Sequence, residues 1–71
     1  MLWVKAEDET LQEKVWLRLD GANIDVFDLS QVEPDPFSRV VNTREGRIFQ
    51  VGIYRFKVVG KEAYTRAYAK V

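Results

Sequence analysis

Cysteine and histidine are both missing from this sequence of 71 residues. Without cysteine there is no disulfide framework and no thiolate zinc site. Without histidine the commonest general base and the commonest metal ligand are gone. Ser30 and Ser38 therefore have no imidazole to activate them as nucleophiles. Glycine is sparse and scattered. Gly21, Gly46, Gly52 and Gly60 stand singly, whereas a phosphate-cradling loop needs clustered glycines that open a helix. Asp20, Asp25 and Asp28 bring three carboxylates to one region, but their spacing lacks the glycine and the terminal glutamate of a calcium loop. These absences point away from chemistry: no enzyme activity, no cofactor, no metal site and no small-molecule substrate are expected. No apolar run approaches the about 18–20 residues that a membrane span needs. Met1-Leu2-Trp3-Val4-Lys5 also lacks the basic segment and apolar stretch of a signal peptide. No membrane contact and a cytoplasmic location are the expectation.

The composition, 46% hydrophobic and 31% charged, is that of a folded domain, and the length allows a single one spanning residues 1–71. The net charge of zero hides an asymmetry. Residues 1–37 carry three bases and nine acids, and residues 38–71 carry eight bases and two acids. Such a split is a hint of nucleic-acid contact or of head-to-tail association, and equally of two halves that fold against each other with interleaved charges.

Alternation of apolar and polar residues dominates the chain and predicts strands. Leu2, Val4 and Ala6 share one face, with Trp3 and Lys5 on the other. Residues 8–19 admit a helix, because Leu11, Val15 and Leu19 recur every fourth position. A hairpin explains more of the residues. Around Asp20-Gly21-Ala22-Asn23 it sets Leu19 opposite Ile24, Arg18 opposite Asp25, Leu17 opposite Val26 and Trp16 opposite Phe27, all favourable cross-strand pairs. Ser30 to Phe37 contains both prolines and reads as a loop, with Phe37 plugging the core. A second hairpin is expected between 39–43 and 47–51, turning at Gly46. Beyond it the apolar phase switches at Gly52, which predicts a bulge or bend there. Val59-Gly60-Lys61-Glu62 then suits a two-residue hairpin loop, with residues 62–71 returning as a strand. A helix is the rival for that last segment, because Tyr64, Ala67, Tyr68 and Val71 also fall on one helical face.

The expected fold is all-β: a small single-domain antiparallel barrel or strongly bent sheet of five to six strands, with a short C-terminal helix as the alternative ending. Its core would draw on Leu2, Val4, Val15, Leu17, Leu19, Ile24, Val26, Val41, Phe49, Val51, Tyr54, Phe56 and Val58. In the last hairpin Lys57 would face Tyr64 and Arg55 would face Arg66. One sheet face would then present Arg55, Lys57, Tyr64, Arg66, Tyr68 and Lys70. Cations neutralise phosphates and tyrosine rings stack on unpaired bases, so this face predicts a nucleic-acid contact. Exposed Trp3 with Lys5, and Trp16 with Arg18, would extend it. The other expectation is a protein partner or homo-oligomer held by the complementary acidic and basic halves.

Overall fold

The structure, a computed structural model, describes residues 1–70; Val71, on the rival helical face, lies outside the described residues. The chain is all-β, with eight strands: β1 (Leu2–Asp8), β2 (Lys14–Asp20), β3 (Asn23–Asp28), β4 (Val32–Pro34), β5 (Val40–Asn42), β6 (Ile48–Val51), β7 (Tyr54–Tyr64) and β8 (Ala67–Ala69). A single 3-10 turn, Leu29–Gln31, separates β3 from β4, and no α-helix occurs among the described residues. Residues 67–69 are strand, so the C-terminal helix is overturned there, as is the helix over 8–19.

Six strands make one antiparallel sheet in the order β3-β2-β1-β7-β5, with β6 also on β7. The remaining two, β4 and β8, pair as a separate ribbon. The β2–β3 hairpin has the expected register, with Leu19 opposite Ile24, Arg18 opposite Asp25, Leu17 opposite Val26 and Trp16 opposite Phe27. The sheet does not close into a barrel. It curls until Val26 of one edge strand, β3, and Val51 of another, β6, line the same groove, yet no ladder joins the two strands.

Two glycines exchange the roles expected of them. Gly52, φ +62°, stands in the two-residue turn between β6 and β7, where Val51 pairs with Tyr54. Gly60, φ +96°, lies inside β7, which runs unbroken from Tyr54 to Tyr64. There the register against β1 jumps, with Ala6 opposite Val58 but Val4 opposite Ala63, so the residues between Val58 and Ala63 bulge out. A hairpin loop and a bulge both call for a left-handed glycine, so the local signal is the same for each. Tertiary pairing decides. A continuous β7 reaches β1 on one side and both β5 and β6 on the other. The expected hairpin of residues 39–43 with 47–51 is replaced in the same way: both segments pair with β7 and not with each other.

An added Cβ at Gly60 would meet nothing within 4 Å, so substitution there tests backbone conformation alone. Gly60→Ala is expected to cost about 1–3 kcal/mol, since a β-carbon penalises positive φ. A thermal melt checks this, and an unchanged midpoint would mean that the bulge relaxes freely.

Each face of the sheet carries a buried cluster. One core cluster joins Val4, Ala6, Val15, Leu17, Phe56, Val58 and Ala63, with Leu2, Leu19, Ile24, Val41, Phe49 and Val51 packed on it. The other joins Trp3, Trp16 and Val32, with Phe27, Tyr64 and Ala67 against it. Val32 and Ala67 belong to the β4–β8 ribbon, which thus caps the tryptophan face. The segment with both prolines is therefore more than a loop. Pro34 is tolerated at the end of β4, which pairs only with β8. Phe37, the expected core plug, is 76% exposed and lies beneath the Arg66 guanidinium. Val26 and Tyr54, expected in the core, are 40% and 44% exposed at the groove.

Candidate binding surfaces

The basic-aromatic face expected from the last hairpin is not assembled as a single face. Arg55 stands opposite Gln50 and Lys57 opposite Ile48, both near the start of β7. Arg66 follows the end of β7, and Tyr68 lies on β8, whose partner is β4. Arg55 and Arg66 therefore do not face each other. The distribution has a simple electrostatic cause. Arg55 Nε lies 3.6 Å from Glu9, Arg66 Nε 3.5 Å from Asp35 and Lys70 Nζ 3.5 Å from Glu33. Each pair joins the basic half to the acidic half within one molecule. Exposed pairs of this kind contribute only about 0–1 kcal/mol each. Their effect here is on the surface potential, because each basic side chain has a carboxylate beside it. Among the described residues Lys57 has no carboxylate within ion-pair distance.

The two tyrosines are likewise engaged. The Tyr64 hydroxyl donates to Glu62 at 3.2 Å, and the ring meets Trp16 edge-on at 5.7 Å. The Tyr68 hydroxyl donates to Glu33 at 3.2 Å. Burial, followed by the Glu62 hydrogen bond, raises the Tyr64 pKa above its ordinary value. For Tyr68 the hydrogen bond to Glu33 is the main cause of the same shift. The sign follows directly: the fold holds both phenols protonated, so whatever they contribute is present below the usual tyrosine pKa and is lost as pH rises above it. Glu33→Gln is expected to bring forward part of the tyrosinate absorbance in an alkaline titration. An identical curve would remove the Tyr68–Glu33 bond in solution.

Trp3 and Trp16 were expected to be exposed; they are 2% and 3% exposed. The reason is the ribbon, which contributes Val32 and Ala67 to their cluster. Arg18 lies over that aromatic layer, 5.6 Å from the Trp3 ring and 5.2 Å from Phe27, while its Nε donates to Asp25 at 3.1 Å. Lys5 Nζ sits 5.2 Å above Trp16. Both cations thus lie over buried rings and shield them from water.

A different surface is open. Leu11, Val15, Val26, Val51, Tyr54 and Phe56 line a groove of about 260 Å³, together with exposed Glu13 and the buried carboxylate of Asp8. The groove exists because the sheet curls without closing. Asp8 shapes one end. Its Oδ1 accepts the backbone N–H groups of Thr10 at 2.7 Å and Leu11 at 2.9 Å, a local turn that holds Leu11 at the lip. Ile53, 88% exposed, occupies the β6–β7 turn next to Tyr54. Sequence reasoning assigned Val26 and Tyr54 to the core, used Leu11 only as a position on the rival helical face of residues 8–19, and gave no binding role to Ile53. Two signals were present: an isolated leucine among the acids of residues 7–13, and a β-branched residue at the centre of a tight turn.

The arrangement offers apolar side chains beside unpaired strand edges. Among the described residues no group of three or more carboxylates is placed to hold a metal ion, and Asp25 is bound to Arg18. No protein-family model, no curated protein and no solved structure matches this chain.

Proposed function

We propose that this chain is a non-catalytic binding module for protein partners, and that its binding surface is the apolar groove between β3 and the β6–β7 hairpin. The observation that carries this reading is the curl of the sheet. Two edge strands face one another across exposed apolar side chains, and neither is paired there. Exposed apolar lining next to unpaired strand edges is the chemistry of peptide capture.

The nucleic-acid reading is the second one, through Arg55, Lys57, Arg66, Tyr68 and Lys70 with Tyr64 beside them. What favours it is the exposure of these cations and, for Arg55, Arg66 and Lys70, the length of their ion pairs, 3.5 to 3.6 Å, which a phosphate can compete for.

An amide-resolved NMR titration separates the two. The chain is titrated with a pool of random octapeptides and, separately, with a mixed-sequence single-stranded oligonucleotide at low and moderate salt. Shifts at Leu11, Val26, Val51 and Tyr54 with peptide, abolished by Val26→Asp, are expected. Shifts only with oligonucleotide, centred on Arg66 and Lys70 and fading with salt, would replace the protein reading by the nucleic-acid one.

A further inference from the structure

Resting on the groove reading above, we infer the class of partner: an extended segment with alternating apolar and basic side chains, which adds to β3 as a seventh strand of the sheet. Three features of the structure converge on it.

The first is the edge itself. β3 spans six residues, pairs only with β2, and carries no proline and no bulge. Away from β2 its edge is open along residues 23–27, the kind of ladder that extended peptides complete, while the Asp28 N–H is already donated to the Gln31 side chain at 2.8 Å.

The second is parity. The register against β2 puts Ile24, Val26 and Asp28 on the groove side, and Asn23, Asp25 and Phe27 on the other. A strand laid beside β3 inherits this alternation. Its inward residues meet Val26 and the groove wall of Val51 and Tyr54, so they must be apolar. Its outward residues lie beside Asp25.

The third is charge. Asp20, Asp25 and Asp28 run along β3 and its turn, and exposed Glu13 lines the groove, where Asp8 is buried and bonded to the Thr10 and Leu11 N–H groups. Arg18 is the single cation that pairs with any of these five carboxylates among the described residues. A second copy of the chain, added β3 to β3, would bring two such acidic edges together and be repelled. A lysine- or arginine-bearing segment is attracted by the same field: its outward cations lie on the face of Asp20 and Asp25, and Asp28 and Glu13 add negative potential from the groove side.

The test uses the full chain and three octapeptides with capped ends: one alternating valine and lysine, one alternating valine and glutamate, and the valine-lysine peptide N-methylated on every second backbone amide. Amide-resolved NMR reports affinity and location. The valine-lysine peptide is expected to shift Asn23 through Asp28 and to slow hydrogen exchange along β3. The glutamate peptide should bind at least about ten-fold more weakly, and Glu13→Lys, at an exposed site with no ion pair, should weaken the lysine peptide several-fold. N-methylation should abolish binding, since it removes the ladder donors. Equal binding of the N-methylated peptide, with shifts at Leu11 and Tyr54, would overturn strand addition while leaving the groove as the binding surface. Equal affinity for the glutamate peptide would overturn the charge selection. No response to any peptide would overturn both the inference and the groove reading beneath it.

Discussion

Trp16→Ala is expected to remove about 3–5 kcal/mol of stability, the range for truncating a buried tryptophan. A domain of 71 residues has on the order of 4–10 kcal/mol in total, so the variant is expected to be largely unfolded or close to it at 37 °C. The magnitude follows from position. Trp16 is 3% exposed, packs in one cluster with Trp3 and Val32, and takes the edge of the Tyr64 ring. Val32 comes from the ribbon, so removing the indole also loosens β4 and β8 from the sheet. Hydrogen exchange should therefore rise first at the ribbon, at Val32 and Ala69, under conditions where Leu17 is still protected. Circular dichroism melts give the overall loss. A cost below about 1 kcal/mol would mean that the indole is solvent-facing in solution, and would return Trp16 to the list of ligand-stacking residues.

Leu17→Ala, one residue further along the same strand, is expected to cost about 2–5 kcal/mol with a different signature. Leu17 is 0% exposed, and its side chain lies on the opposite sheet face, among Val4, Val15, Phe56 and Val58. The cavity would open at the junction of β1, β2 and β7. Protection should fall throughout the six-stranded sheet and not preferentially in the ribbon. For a chain of this size a loss of 1 kcal/mol lowers the melting midpoint by roughly 4–8 °C, so a shift above about 8 °C is expected. The contrast between the two variants is itself the test of a sheet packed on both faces. Identical exchange patterns would mean that the ribbon and the sheet unfold as one unit.

How much of this was legible beforehand depended on the range of the interaction. The β2–β3 hairpin is local, and its cross-strand pairs could be written down residue by residue from alternation and turn chemistry alone. Gly52 and Gly60 show where local information ends. Each demands a left-handed backbone, but only the long-range pairing of β7 with β1, β5 and β6 determines which of them turns the chain and which bulges it. Trp3 and Trp16 show the second limit. Alternation placed them correctly on the face opposite Val4 and Leu17, but nothing local reveals that two three-residue strands, β4 and β8, come from distant segments to cover them. The candidate site failed to be legible for the same reason. The cations of residues 55–70 were visible as a cluster, whereas the carboxylates beside them, Glu9, Glu33 and Asp35, arrive through tertiary structure. The groove depends on the curl of the sheet, a property of no single segment.

The pairing of β1 with β7 also dictates an order of events during synthesis. Trp3 lies beside Tyr64, and Ala6 beside Val58, so β1 acquires its second neighbour only after residues 54–64 have left the ribosome. Until then the nascent chain can form little beyond the β1–β2–β3 meander, a sheet with Val4 and Leu17 bare on one side and both tryptophans bare on the other. Bringing β7 home closes a loop of most of the chain, the kind of non-local step that slows folding. The β1–β2–β3 meander therefore carries apolar side chains on both faces and has no second neighbour for β1 until β7 arrives.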